Sequence, residues 1–136
     1  MHSVFDEIIS REEKERFLNQ NSKVIWMTGL SGSGKTTLAK FLERKLMENH
    51  FLSKLLDGDN IRAGLNAGLS FSDSDRHENI RRIAEVSKLF LDSGIICINS
   101  FVSPTFEVRK QAKEIIGDKD FIAVSYTHLT LPTKRI

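Results

Sequence analysis

An octapeptide at residues 29–36 constrains the fold of this chain more than any other feature, and it reads Gly-Leu-Ser-Gly-Ser-Gly-Lys-Thr. Gly29, Gly34, Lys35 and Thr36 have the spacing of a P-loop. Glycines let the backbone curl until successive N–H groups point inward and form a nest for anionic oxygens. The octapeptide therefore predicts a phosphate site, which requires a strand before it and a helix after it.

The flanking sequence supplies both elements. Residues 24–28 form a short apolar run, which is typical of a strand buried on both faces. From Thr36 onward, apolar residues recur at helical spacing, at Leu38, Phe41, Leu42 and Leu46. We therefore expect a nucleotide's phosphates at the N-terminus of this helix, where the helix dipole favours negative charge.

Lys35 is expected to reach the β- and γ-phosphates of a nucleotide, and the Thr36 hydroxyl to coordinate Mg²⁺. Thr37 is included because it adjoins the loop, although an ordinary role in the first helical turn is the simpler expectation. The candidate nucleotide-binding residues are Gly29, Leu30, Ser31, Gly32, Ser33, Gly34, Lys35, Thr36 and Thr37.

Strands and helices are expected to alternate along the rest of the chain. Ser10 and Glu13 have capping-box spacing ahead of a short leading helix, from Arg11 to about residue 20. Residues 52–56, 95–100 and 121–124 are predicted to be strands, and residues 57–75 a long polar loop.

Two further helices complete the pattern. One is marked by apolar residues from Ile80 to Leu91 and ends near Gly94, and the other starts at Ser103-Pro104 and stops at Gly117. This alternation predicts an α/β fold of the P-loop NTPase type, a parallel sheet with helices on both faces in three layers. Ligands of such sheets bind beyond the carboxyl ends of the strands.

The charges favour no nucleic-acid or membrane partner. The 20 basic and 18 acidic residues are interspersed, and no apolar stretch approaches a membrane span. The single cysteine, Cys97, lies in an apolar run and is expected to be a buried thiol. A cytoplasmic location is the expectation.

Polar residues after the second strand suggest an acceptor site. Asp57 and Asp59 flank Gly58, and one of these carboxylates could face the metal and an acceptor hydroxyl. An Asp-Gly-Asp sequence is usually a solvated turn, but its position after a strand in a P-loop chain favours the functional interpretation. Nearby cations are Arg62, Arg76, Arg81 and Arg82.

The octapeptide is followed in order by residues 56–66 (Leu-Asp-Gly-Asp-Asn-Ile-Arg-Ala-Gly-Leu-Asn), by Phe-Ser at 71–72, by residues 75–82 (Asp-Arg-His-Glu-Asn-Ile-Arg-Arg) and by Phe-Val-Ser-Pro at 101–104. Together these segments resemble adenylyl-sulfate (APS) kinases over roughly residues 24–124. Members of that family transfer the γ-phosphate of MgATP to the 3′-hydroxyl of adenosine 5′-phosphosulfate, giving PAPS. The resemblance allows a homodimer.

The resemblance implies a role for each matching residue. Asp59 would orient or deprotonate the 3′-hydroxyl and, with Thr36, hold Mg²⁺. The catalytic candidates are Asp59, Lys35 and Ser103. The substrate-binding candidates are Asp57, Arg62, Phe71, Arg76, Asn79, Val102 and Ser103. Phe71 would stack on the adenine, and Arg62, Arg76 and Asn79 would bind the phosphosulfate. His77, Glu78, Arg81 and Arg82 are expected to form a solvated helix face, and Phe71 could instead be a core residue.

The motifs that carry the resemblance end by residue 124, after which the family would continue into a basic lid that we do not expect in this sequence. We therefore expect a leading helix segment at 1–23, a partial P-loop kinase domain at 24–124, incomplete at the C-terminus, and a non-family tail at 125–136. Two alternatives stay open: a nucleotide-binding fragment without turnover, and another small-molecule P-loop kinase acting on nucleosides or shikimate-like acceptors.

Overall fold

The computed structural model describes residues 8–28, 35–70, 72–101 and 106–125. Its elements are, in chain order, α1 (Arg11–Leu18), β1 (Val24–Thr28), α2 (Lys35–Glu48), β2 (Ser53–Asp57), α3 (Gly58–Ala63), α4 (Asp73–Asp92), β3 (Ile96–Ser100), α5 (Phe106–Ile116), a 3-10 turn (Asp118–Asp120) and β4 (Phe121–Ser125).

The strands form one parallel sheet in the order β2-β3-β1-β4. In its register, Ser100 of β3 lies between Met27 of β1 and Asp57 of β2, so these three strands end at one edge. β1 is paired on both sides, by β3 and β4. The predicted parallel α/β sheet is confirmed, and the segment leading into the octapeptide is an interior strand.

Two apolar layers cover the two faces of the sheet. On one face Trp26 and Cys97 pack with Ile83 of α4 and Ala112 of α5. On the other face Met27, Leu55 and Ile98 pack with Ala39 of α2. This is the predicted three-layer arrangement, in which each buried large apolar side chain contributes roughly 1.5–3 kcal/mol.

The leading helix α1 is attached to the amino-terminal edge of the sheet. Ser10 caps it by accepting a hydrogen bond from the Glu13 amide at 3.1 Å. The Gln20 side chain donates to the carbonyls of Leu52 and Gly94, which precede β2 and β3. Gly94 has φ 77°, and a Cβ there would lie 3.1 Å from the Glu15 nitrogen, so only glycine allows this close approach.

The prediction of a continuous loop at 57–75 is wrong, because residues 58–63 form α3 and α4 begins at Asp73. Asp57 and Asn60 form a reciprocal capping box, with Asp57 Oδ1 accepting from the Asn60 amide at 2.9 Å and Asn60 Oδ1 from the Asp57 amide at 3.2 Å. Ile61 then buries α3 in the core. β2 lies one residue later than predicted, and β3 begins one residue later but ends where predicted.

Other sequence predictions fall on parts of the chain without a structural description. The proposed helix start at Ser103-Pro104 and the tail beyond residue 125 lie outside the described residues. Within the described ranges, no helix has the length and apolar character needed to cross a membrane.

Candidate active site

The two elements that flank the octapeptide in the chain are β1 and α2. Thr28, at the end of β1, is buried and donates its hydroxyl to the Val124 carbonyl at 3.3 Å, fixing the strand end against β4. α2 begins at Lys35, and Thr37 is exposed in its first turn. The strand and helix required by a P-loop are therefore present. Residues 29–34, and the side chains of Lys35 and Thr36, lie outside the described part of the chain.

Ser100 places a buried hydroxyl at the same edge. It is 2% exposed, and its Oγ has no hydrogen-bond partner among the described residues. A buried hydroxyl without a partner is costly unless a ligand or water satisfies it. Its position therefore fits a bound polar group, such as a nucleotide phosphate or a water molecule held by Mg²⁺.

The predicted metal ligands, Thr36 and Asp59, have side chains outside the described set. Within that set, no group of three or more His, Cys, Asp or Glu side chains could hold a metal ion. Asp57 is half-buried, and one of its oxygens is committed to the α3 cap. A site for Mg²⁺ at this edge would therefore rest on the octapeptide and on Asp59, in the first turn of α3.

The substrate candidate Arg62 lies beside the same turn of α3. A Cβ built on Gly58 would be only 2.8 Å from Arg62 Nη1, so the guanidinium folds back over the start of the helix. Because α3 follows β2 directly, this cation is held close to the carboxyl edge of the sheet.

The start of α4 is fixed by the residues just before it. Ser72 caps the helix, accepting from the Asp75 amide at 3.2 Å. The Ser70 hydroxyl and amide donate to Asp75 Oδ2 at 2.6 and 2.7 Å. These two hydrogen bonds lower the pKa of Asp75, and the bond from the hydroxyl has the larger effect. The candidates Arg76, exposed, and Asn79, half-buried, project from these first turns.

The next polar residues of α4 pair with one another. Glu78 accepts hydrogen bonds from Arg81 and Arg82, each at 2.8 Å. These bonds lower the pKa of Glu78 to about 2, and the bond from Arg81 has the largest effect. His77 is exposed and contacts Gln111 of α5 at 3.1 Å. The arrangement agrees with the predicted solvated helix face, since Arg81 and Arg82 already have a carboxylate partner.

In the described part of the chain β2 leads directly into α3, and the turn after α3 contacts α4 through Asn66 and Asn79. The candidates Asp57, Arg62, Arg76 and Asn79 lie on these elements. Phe71, Val102 and Ser103 lie outside the described residues, so their assignments remain predictions. Sequence reasoning assigned no role to two residues. Ser100 is visible in the sequence as the polar end of an apolar strand, and Asn66, which contacts Asn79, lies within the segment at 56–66.

Comparison with known proteins identifies related chains. The adenylyl-sulfate kinase of Bacteroides thetaiotaomicron is 57% identical over 124 residues, covering 91% of this chain and 62% of that protein. The adenylyl-sulfate kinase of Bacteroides fragilis is 53% identical, covering 91% of this chain and 61% of that protein. This chain thus spans somewhat less than two thirds of the length of these relatives.

Solved structures of APS kinases are also similar to this chain. The Mycobacterium tuberculosis APS kinase in complex with AMPPNP and APS superposes with a TM-score of 0.73 at 45% identity, covering 77% of this chain and 62% of that one. A model of the adenylylsulphate kinase family matches residues 21–135. The family model covers most of the chain and the fold and motifs agree with it, so this chain belongs to the adenylylsulphate kinase family.

Proposed function

We propose that this chain binds ATP and APS and transfers the γ-phosphate of ATP to the 3′-hydroxyl of APS, giving PAPS. The observation that carries the proposal is the shared edge of the sheet. There β1 leads into the octapeptide and β2 leads into α3, with Ser100 in register between them. The Mycobacterium tuberculosis relative, solved with AMPPNP and APS, supports this pairing of ligands.

On the nucleotide side, the backbone amides of residues 29–34 and the Lys35 ammonium would bind the phosphate oxygens. Thr36 and Asp59 would hold Mg²⁺, which when bound supplies charge neutralisation at the phosphates. Asp59 would also align the 3′-hydroxyl and accept its proton as the hydroxyl oxygen bonds to the γ-phosphorus and the bond to ADP breaks.

On the acceptor side, Arg62, Arg76 and Asn79 would bind the phosphosulfate, because guanidinium and amide donors match its anionic oxygens. Phe71 would stack on the adenine. Asp57 would support this site mainly by capping α3, with Val102 and Ser103 contacting the substrate from the β3–α5 connection. A cytoplasmic location, a homodimer and the absence of nucleic-acid or membrane partners belong to the same proposal.

A second candidate is a nucleotide-binding chain without turnover; the matched residues cover 62% of the Bacteroides thetaiotaomicron relative. Closing segments that exclude water and add cations can each change rates by orders of magnitude. In this second candidate the ATP site forms while transfer to APS does not occur.

One assay separates the candidates. The chain is incubated with APS, Mg²⁺ and ATP labelled at the γ-phosphate, and labelled PAPS is quantified; nucleotide affinity is measured in parallel. Lys35→Ala should abolish either activity or nucleotide binding, whereas Lys40→Ala, exposed on the same helix, should not. PAPS formation supports the kinase, and ATP binding without PAPS supports the second candidate. Turnover of nucleosides or shikimate-like acceptors in place of APS would contradict both.

A further inference from the structure

The turn that follows α3 is attached to α4 at three points. Arg82 Nη1 donates to the Leu65 carbonyl at 3.2 Å, and the Ser70 hydroxyl donates to Asp75. Between them, Asn66 Nδ2 contacts the side-chain oxygen of Asn79 and lies 3.5 Å from its main-chain oxygen. Of the three residues of the turn that make these contacts, Asn66 is the buried one, at 5% exposure, whereas Leu65 and Ser70 are exposed.

The orientation of the Asn66 amide follows from these partners. Its Nδ2 faces two oxygens of Asn79, and an amide oxygen in that place would repel the main-chain carbonyl. Asn79 Oδ1 is therefore an acceptor, so the Asn79 Nδ2 group points away from Asn66 with its N–H donors available. Among the described residues, the structure gives that Nδ2 group no partner.

The contact is a poor arrangement for stability alone. Asn66 Oδ1 is buried and has no hydrogen-bond partner within the described part of the chain. An unsatisfied buried amide oxygen costs free energy, and an apolar residue would avoid that cost. The one function that the geometry performs well is to fix which end of the Asn79 amide is exposed.

We infer that Asn66 is a positioning residue that holds the Asn79 amide with Nδ2 toward the acceptor site, where it donates to the anionic oxygens of the phosphosulfate. The inference rests on the proposed function. A free asparagine amide can present either its oxygen or its nitrogen, and only the nitrogen attracts an anion. Asn66 removes the unfavourable orientation before the substrate arrives.

The test replaces the donor by an acceptor of the same shape. In Asn66→Asp the Asn79 amide should turn so that its Nδ2 bonds to the new carboxylate, leaving Oδ1 toward the anion. APS affinity, titrated calorimetrically in the presence of AMPPNP and Mg²⁺, should fall at least about 10-fold, while AMPPNP affinity stays within about twofold. Asn66→Ala, which only frees the amide, should lose less.

The control is Arg82→Met, which removes a neighbouring contact between the turn and α4 without touching Asn79. It should bind APS like the original chain. The side-chain amide signals of Asn79, followed by NMR, should move in Asn66→Asp and hardly at all in Arg82→Met.

The inference is overturned if Asn66→Asp binds APS normally, or if Arg82→Met loses as much affinity, which would mean that the contact only holds the turn in place. A chain that binds AMPPNP but no APS would contradict the proposed function itself. The inference would then fall with it, whatever the Asn79 signals show.

Discussion

Arg11 and Asp120, near the two ends of the described chain, form a doubly hydrogen-bonded ion pair, with Nη1–Oδ2 at 2.9 Å and Nη2–Oδ1 at 3.0 Å. Arg11 also donates to the Ser22 hydroxyl and carbonyl and to Glu15. The pair lies where α1 meets the starts of β1 and β4. The leading helix is thereby bound to the sheet that carries the octapeptide.

Arg11→Ala should lower the free energy of unfolding by roughly 2–3 kcal/mol, because it leaves the largely buried Asp120 carboxylate with Lys23 as its remaining cation. Arg16→Ala, exposed on the same helix, should change it by less than about 0.5 kcal/mol. Urea unfolding of the two variants provides the comparison. Equal effects would show that the ion pair contributes nothing of its own.

The same network predicts how stability depends on pH. The pKa of Asp120 is lowered, chiefly by its hydrogen bond from Arg11. Burial raises the pKa of Glu15, but hydrogen bonds from the Ser22 amide and hydroxyl outweigh burial and lower this pKa overall. Because the folded-state pKa values of these two carboxyls lie below the unfolded ones, the stability that they contribute is complete above about pH 5 and is lost as the pH falls through the folded values. In urea titrations between neutral pH and pH 3, Asp120→Asn should weaken this acid dependence. An unchanged dependence would contradict the assignment.

Ser100→Ala should separate stability from binding. Removing a buried hydroxyl that has no protein partner should leave the free chain equally stable or stabilise it by up to about 1 kcal/mol. The same change should weaken binding of AMPPNP with Mg²⁺, if that hydroxyl meets a phosphate or a metal-held water. Thermal unfolding with and without the nucleotide measures both effects. A destabilised free chain with normal nucleotide affinity would show that Ser100 is structural.

The two carboxylates that flank Gly58 should behave differently. Asp59→Asn should depress turnover far more than APS binding, since a group that aligns the attacking hydroxyl acts mostly in the transition state. Asp57→Asn should be mild because asparagine also caps helices, whereas Asp57→Ala should destabilise α3 by about 1 kcal/mol. Steady-state kinetics are best measured in a chain joined to the C-terminal segment of the Bacteroides thetaiotaomicron relative. Equal kinetic losses in both asparagine variants would assign Asp57 to the metal or acceptor as well.

Arg76→Ala should chiefly raise the KM for APS, by roughly 10-fold or more, because its proposed partner is present in both the ground and the transition state. Arg81→Ala is the matched control on the same helix, since Glu78 already occupies its guanidinium. The same extended chain serves for the kinetics. Parallel changes in ATP and APS kinetics for Arg76→Ala would contradict its placement at the phosphosulfate.

The elements that sequence predicts well are those with a one-dimensional signal. The apolar run of β1 and the periodic apolar residues of α4 are visible without knowing any contact. The short helix α3 was missed because it has only the reciprocal bonds of Asp57 and Asn60 and one buried residue, Ile61, to mark it. The Arg11–Asp120 pair has no local signal, since its partners meet only when the sheet is assembled.

The residues of the candidate site also differ in whether the sequence reveals them. The octapeptide and the pair Asp57 and Asp59 form local motifs, so they can be recognised in the sequence. Asn66 and Ser100 stand out through what surrounds their polar atoms in three dimensions, one against Asn79 and the other without a partner. No pattern in the sequence records whether a buried polar atom is satisfied.

The strand order also determines when, during synthesis, the nucleotide site can form. β1 is synthesised before both of its neighbours: β3 supplies one side from residue 96, and β4 supplies the other only from residue 121. Such long-range parallel pairing is slow to form and leaves apolar strands unprotected in the meantime. The apolar strand that leads into the phosphate loop thus leaves the ribosome before either of the two strands that will enclose it.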